Sequence, residues 1–363
     1  MKAVILVGGQ ATRLLPLTCN TPKAMVPVLN IPFLEYVIRY LSKHQIKDII
    51  LAQGYLAQPI EDYLGNGSQL GVNLSYAIEG IPLGTAGAVK NTESFLDETF
   101  LVLNGDIFTD LDITAMIDFH QKRSAQATIS LTPVDNPTSY GLIETEAEDR
   151  VTRFLEKPDR SQVTTNTINA GTYILEPEVL AQIPLQTKVS IEREVFPLLL
   201  DQGKLVYAYP ASTYWIDMGT PEKYLQLHRD LLGGRSSQYV PATGEEVVVG
   251  EQSYIHPTVQ IKGPVIIGSN CTVEDDVRLT GPIVIGHGCQ ILPEAVIEES
   301  IIWQNTRLGK RVNIKGSIVA DNCCLNSDST IKDSILGDNV TIASGYKLEP
   351  GSKIWPGIIV GPS

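Results

Sequence analysis

The chain has 363 residues, 43% of them hydrophobic and 19% charged, with a formal net charge of −13. That length suits two domains, and the composition is that of an ordinary globule. The acidity argues against nucleic acid or an anionic membrane as partner, since either calls for a basic patch. No stretch reaches the roughly 18–20 apolar residues of a membrane span, and Met1-Lys2-Ala3-Val4 runs straight into a strand-like segment with no room for a signal peptide. Five cysteines (Cys19, Cys271, Cys289, Cys323 and Cys324) are odd in number and lack metal-site spacing. Reduced thiols, and a cytoplasmic location, are the expectation.

The first predicted element, Ala3–Val7, is a β-branched apolar run that reads as a buried parallel strand. It ends in Gly8-Gly9, followed by Gln10-Ala11-Thr12-Arg13-Leu14-Leu15-Pro16-Leu17-Thr18 and then Pro22-Lys23. A turn without side chains lets backbone N–H groups approach phosphate oxygens, and Arg13 and Lys23 add a planar fork and a point charge. The combination suits a polyphosphate, although it is neither a Walker loop nor a three-glycine dinucleotide fingerprint. Further strands are predicted at Asp48–Gln53, Asn73–Glu79, Phe100–Asn104 and Ala127–Val134. Helices are predicted at Phe33–His44, Ala57–Leu64, Ala86–Phe95 and Ile113–Gln121. This alternation predicts a doubly wound α/β sheet, in which ligands bind beyond the carboxyl ends of the strands. Gly8–Arg13 and Gly105-Asp106 both sit at such ends and point to one crevice. Strand-like Val151–Leu155 leads into Glu156-Lys157-Pro158, and Asn169-Ala170-Gly171-Thr172-Tyr173 begins another strand. A helix at Pro221–Leu232 closes the domain, and Gly233–Ser237 reads as a hinge.

Beyond it, aliphatics recur every six residues from Val249 through Ile255, Ile261 and Ile267 to Ile297. The run restarts one residue early at Ile302, Val319 and Leu336, and Ser300, Ser317 and Ser334 open echoing tripeptides. Such a period fits neither a helix nor a simple strand, but it fits a hexapeptide parallel β-helix. Its handedness is not visible in the sequence. The expected domains are residues 1–232 and 248–363, joined by a linker over 233–247.

The stretch from Gly8 to Lys23 resembles the signature of the sugar-nucleotidyltransferase (nucleotide-sugar pyrophosphorylase) family, and the likeness continues through most of the chain. It implies a Rossmann-like doubly wound mixed sheet followed by a left-handed parallel β-helix. Ala11 stands where the family usually has glycine, so a negative φ is expected there. The resemblance implies that Leu6, Gly8, Gly9, Ala11 and Thr12 bind the nucleotide, with Arg13 and Lys23 as catalytic cations. Glu79 and the Gly84-Thr85 turn would meet the base, since an acceptor-only carboxylate pairs with the N–H groups guanine presents side by side. Tyr140, Gly141, Glu156, Lys157, Asn169 and Tyr173 would line the sugar-phosphate pocket. Asp106 and Asp217 could each be no more than a turn or cap residue. By the resemblance they are the ligands of Mg²⁺ as cofactor.

Pro82-Leu83-Gly84-Thr85-Ala86-Gly87 looks most like the mannose-1-phosphate guanylyltransferases. The expected reaction is therefore mannose-1-phosphate with GTP, giving GDP-mannose and pyrophosphate. Glucose-1-phosphate with UTP or dTTP stays open, as does a non-catalytic regulatory subunit that binds nucleotide-sugar. The β-helix suggests a homo-oligomer.

Overall fold

The computed structural model describes residues 1–9, 11–54, 56–236 and 247–362. Gln10 of the glycine-rich stretch, Ser237 of the expected hinge and residues 237–246 of the expected linker lie outside the described residues. Two compact units emerge, one of residues 1–10 and 34–217, the other of residues 11–33 and 218–363. Residues 11–33 and the Pro221–Leu232 helix thus fall in the same unit as the β-helix.

In the first unit the predicted alternation yields a nine-stranded mixed sheet. Lys2–Leu6 lies between Phe100–Asn104 and Asp48–Gln53, parallel to both, and Asn73–Ile78 continues the parallel set. Thr167–Leu175 runs antiparallel to Phe100–Asn104 and bridges to Ala127–Pro133 and to a hairpin of Gly141–Thr145 with Val151–Glu156. Val4, Ile50, Phe100, Val102, Tyr173 and Phe196 belong to one core cluster and are at most 2% exposed. Such β-branched and aromatic runs need burial on both faces, which is why the central strands read as continuous apolar segments. The helix predicted at Ala86–Phe95 starts earlier, at Gly84, and ends at Lys90, with a separate 3₁₀ turn at Glu93–Phe95.

Among the described residues of the second unit the six-residue period becomes three parallel sheets of seven, seven and five short strands, stacked as a left-handed parallel β-helix. Coils advance by eighteen residues at Val247–Val249, Val265–Ile267 and Ile283–Ile285, then by seventeen from Val284 to Ile301 to Ile318. Those shorter coils are the early restarts seen in the sequence. The echoing serines form an internal ladder. Ser317 N–H donates to Ser300 Oγ at 3.1 Å and Ser334 N–H to Ser317 Oγ at 3.1 Å, so a buried hydroxyl column replaces solvent. Cys271, Cys289 and Cys323 are buried fillers of the same interior.

The Pro221–Leu232 helix starts where Thr220 accepts the Lys223 N–H and Pro221 supplies a ready-made φ. It buries Tyr224 and His228, the latter with Nε2 accepting the Leu29 N–H at 3.2 Å and Nδ1 facing the Tyr224 carbonyl at 2.9 Å. Only the Nδ1–H tautomer satisfies both contacts. Ala11, expected at negative φ, instead has φ +48° and ψ 42°. The correction has a local cause: the carbonyl of Ala11 accepts from both Leu14 N–H (2.9 Å) and Thr18 Oγ1 (3.1 Å), which holds the chain in a tight left-handed entry to the Thr12–Leu14 turn.

Two predictions follow from these local conformations. A left-handed alanine costs about 1–2 kcal/mol, part of which glycine returns as unfolded-chain entropy, so Ala11→Gly should raise stability by roughly 0.5–1 kcal/mol in urea melts. Burial lowers His228 to about 4, its bond to the Tyr224 carbonyl opposing. Because this folded-state value lies below the unfolded one of about 6.5, the His228 contribution is complete above that pH and is lost as pH falls toward 4. Urea midpoints between pH 7 and 5 should therefore fall more steeply in wild type than in His228→Gln, by on the order of 2 kcal/mol at pH 5.

Candidate functional site

The parallel strands converge at their carboxyl ends on a crowded patch of backbone. Gly105 N–H donates to the Leu6 carbonyl at 2.9 Å, and a Cβ on Gly105 would stand 2.6 Å from that oxygen and 2.7 Å from Val7 Cγ1. A Cβ on Gly8 would lie 3.3 Å from Gly54 N and 3.3 Å from Glu79 Oε1. On Gly9 it would meet no described heavy atom within 4 Å, so that residue opens onto free space. Leu6, Gly8, Gly9, Gly105 and Glu79 are thus gathered at one end of the sheet, as expected for a ligand crevice.

Glu79 extends the strand Asn73–Ile78, with its N–H donating to the Gln53 carbonyl at 2.8 Å. Its Oε2 accepts the Leu83 N–H at 2.8 Å, so the carboxylate also shapes the turn before Gly84. Burial raises its pKa above the ordinary carboxylate value, against the Leu83 N–H that favours the charge. Gly84 has φ +71° and a Cβ there would stand 2.6 Å from the Val189 carbonyl oxygen, a place only glycine can fill. Thr85 Oγ1 donates to Glu192 Oε2 and accepts the Ile191 N–H, both at 2.8 Å.

Asp217 ends Trp215–Asp217, which pairs antiparallel with Ile107–Thr109 so that Asp217 faces Ile107 in register. This ladder sets Asp217 beside the chain at Asp106, two carboxylates from segments more than a hundred residues apart. Tyr140 Oη donates to Asp217 Oδ1 at 2.7 Å, and the Tyr140 and Trp215 rings meet edge to face at 5.5 Å. Among the described residues there is no cluster of three or more His, Cys, Asp or Glu side chains fit to hold a metal ion. A pair of hard carboxylates completed by phosphate oxygens and water is nonetheless a donor set that suits Mg²⁺.

Several of the residues expected on the sugar side lie close to one another. Lys157 N–H donates to the Tyr140 carbonyl at 2.9 Å, and its φ of +52° turns the exposed Lys157 out of the Val151–Glu156 strand. A Cβ on Gly141 would stand 2.9 Å from Glu156 Oε2. Burial and then the Glu192 charge raise the pKa of Glu156, with Lys157 and Arg193 opposing. Asn169 Nδ2 donates to Tyr173 Oη at 2.8 Å while its Oδ1 accepts the Gly171 N–H at 2.9 Å. Tyr173 itself is fully buried, and its hydroxyl reaches Glu192 Oε1 at 3.4 Å, so it braces the wall and does not line it. Ala11, Thr12, Arg13 and Lys23 belong to the second unit, where Thr12 and Arg13 are exposed and Lys23 is half-buried.

Glu192 is the residue that the sequence reading passed over. It accepts from Thr85, from Ser190 Oγ at 2.7 Å and from Tyr173, and so ties the Gly84-Thr85 turn to the Asn169–Tyr173 wall. Its one local signal was Ser190 as a helix cap ahead of an acidic pair, a common surface pattern.

Similarity to known proteins agrees with this geometry. The model of the nucleotidyl transferase family matches residues 2–233, that of the bacterial transferase hexapeptide (six repeats) matches 246–281, and that of the EIF2B subunit epsilon LbH domain matches 278–363. Mannose-1-phosphate guanylyltransferase of Mycobacterium tuberculosis is 41% identical over 234 residues, 64% of this chain and 65% of that protein, which is just under two thirds of its length. UTP–glucose-1-phosphate uridylyltransferase of Synechocystis is 34% identical over 85% of this chain and 84% of its own. The crystal structure of HddC from Yersinia pseudotuberculosis complexed with GMP-PN superposes with a TM-score of 0.55 at 31% identity, over 62% of this chain and 97% of that one. With the family model spanning the whole sheet and its glycine-lined crevice, the chain belongs to the nucleotidyl transferase family.

Proposed function

We propose that this enzyme joins mannose-1-phosphate to GTP, releasing pyrophosphate and GDP-mannose. The observation that carries the choice of base is Glu79, a carboxylate held against Gly8 at the strand ends, together with the 41% identity to a guanylyltransferase. One Glu79 oxygen is partly spent on Leu83, and the free lone pairs of both would accept the N1–H and NH₂ of guanine. A second reading, glucose-1-phosphate with UTP, is favoured by the uridylyltransferase relative that aligns over 85% of the chain.

The sugar phosphate needs no general base, because a phosphate monoester with a second pKa of about 6 is already ionised near neutrality. The chain's task is to align and neutralise. Gly8 and Gly9 leave room for the triphosphate, Arg13 would meet the charge developing at the α-phosphorus, and Lys23 and Lys157 would orient the sugar phosphate. Tyr140 holds Asp217 in place by its hydroxyl. Asp106 and Asp217 would hold Mg²⁺, which when bound supplies electrostatic stabilisation to the phosphoryl oxygens. Glu156 and Asn169 would receive sugar hydroxyls. We place the enzyme in the cytoplasm as a homo-oligomer; among the described residues no helix is long and apolar enough to cross a membrane.

Asp106→Asn and Asp217→Asn should each lower turnover by at least about 100-fold while leaving the melting curve near wild type. Pyrophosphate release titrated with Mg²⁺ checks this, and turnover within about threefold of wild type would remove that aspartate from the metal site. Glu79→Gln turns one acceptor into a donor facing the N–H groups of guanine. It should cost about 1–3 kcal/mol, or roughly 10- to 150-fold in kcat/KM for GTP, and far less for UTP or dTTP. The comparison of kcat/KM across the three nucleotides decides it: equal losses make Glu79 structural, and a wild type that prefers UTP or dTTP overturns the guanylyl assignment.

A further inference from the structure

Residues 11–33, which carry Arg13 and Lys23, are fastened within the second unit by hydrogen bonds to two elements. From the β-helix, Asp338 Oδ2 accepts Asn20 Nδ2–H at 3.0 Å, and the Ile285 carbonyl accepts Asn30 Nδ2–H at 2.8 Å. From the Pro221–Leu232 helix, Tyr224 Oη donates to the Pro27 carbonyl and His228 Nε2 accepts the Leu29 N–H. The β-helix reaches that helix as well, since Trp303 Nε1–H donates to Tyr224 Oη at 3.1 Å between two side chains that are at most 2% exposed.

Asn20 is exposed, but its partner is not. Asp338 is 7% exposed, and its other oxygen accepts the Asp321 N–H at 3.3 Å; Asp321 in turn accepts Gln304 N–H at 3.1 Å. The three positions repeat at seventeen-residue spacing, so one polar column of the β-helix ends on Asn20. Asn30 sits at the tip of the hairpin formed by Pro27-Val28 and Ile31-Pro32, where Leu29 and Asn30 have φ of +48° and +67°. A two-residue turn with both φ positive is stiff, so fixing its tip fixes the strands that flank it.

We propose that Asn20 and Asn30 are positioning residues and that the β-helix is the template holding the Arg13–Lys23 segment in the register its chemistry requires. This rests on the reading of Arg13 and Lys23 as phosphate-binding cations. A cation-bearing segment held in advance spares the ordering cost at the transition state, and a displacement of about 1 Å can cost on the order of 100-fold in rate.

The test uses the full-length chain with Asn20→Ala, Asp338→Asn, Asn30→Gly and the double variant Asn20→Asp with Asp338→Asn. Asp328→Asn, which breaks only an exposed 2.6 Å ion pair to Arg311 elsewhere on the β-helix, is the control. Pyrophosphate release from GTP and α-D-mannose 1-phosphate gives kcat and KM, and timed trypsin digestion gives cleavage after Arg13 and Lys23. Each single variant should lower kcat about 10- to 100-fold, more than it changes KM, and speed that cleavage, with the control unaffected. In the double variant the new amide at 338 donates to the new carboxylate at 20 and still accepts the Asp321 N–H, so kcat and protection should largely return. Singles within about threefold of wild type in both measurements, or a double variant no better than the worse single, would overturn the proposal. Wild type inert with this substrate pair would instead overturn the functional reading, and the trypsin arm would still decide the anchoring.

Discussion

Backbone packed against backbone at the carboxyl ends of the parallel strands is the constraint on which the first unit depends. Strand Lys2–Leu6 can pass its carbonyl to Gly105, and Gly8 can lie beside Gly54, only because none of these glycines carries a Cβ. The same closeness sets Glu79 against Gly8 and brings Asp106 to the loop where the Trp215–Asp217 ladder delivers Asp217. A methyl group at Gly105 would stand 2.6 Å from the Leu6 oxygen and would have to push strands apart that are sealed by Val4, Phe100 and Val102. Close-packed interiors do not yield by such amounts without cost, so the crevice is fixed by the sheet and not by its loops.

Onto this backbone floor the polar walls are joined through Glu192. A carboxylate that accepts from Thr85, Ser190 and Tyr173 at once couples its own segment to the Gly84–Lys90 helix and the Thr167–Leu175 strand through charge-assisted bonds, each stronger than its neutral counterpart. The cost appears next to it, where the Glu192 charge adds to burial in raising the pKa of Glu156.

The parts legible in the sequence were those whose signal is periodic or local. Asp48–Gln53, Phe100–Asn104, Ala57–Leu64 and Pro221–Leu232 end where their apolar runs and caps end, and the six-residue rhythm gave every coil of the β-helix, including its seventeen-residue coils. The motifs singled out Glu79, which lies at the strand ends, and Gly84, which takes the positive φ that only glycine fits there. What escaped was decided by distant partners. Glu192 has its meaning only through Thr85, more than a hundred residues away. Leu29 takes a positive φ, which leucine disfavours, at a hairpin tip held from outside by His228 and by the Ile285 carbonyl. Ala11 is the exception, left-handed for a local reason, with the Leu14 N–H and the Thr18 hydroxyl converging on its carbonyl.

The division of the chain follows from the same principle. Residues 11–33 are preceded and followed in sequence by elements of the sheet, yet two of their side chains (Asn20 and Asn30) and two of their backbone groups (the Pro27 carbonyl and the Leu29 N–H) hydrogen-bond to Asp338, Ile285, Tyr224 and His228. Buried groups such as the Leu29 N–H and His228 Nε2 are costly to leave unmet, on the order of 1–3 kcal/mol each. Detaching the segment would break several bonds together. A repeat stack changes shape little, because each coil contacts only its neighbours through short, regular ladders. Mounting a cationic segment on such a stack converts the stiffness of an aliphatic six-residue period into the placement of charge, with none of the stack's own residues needing to touch a substrate.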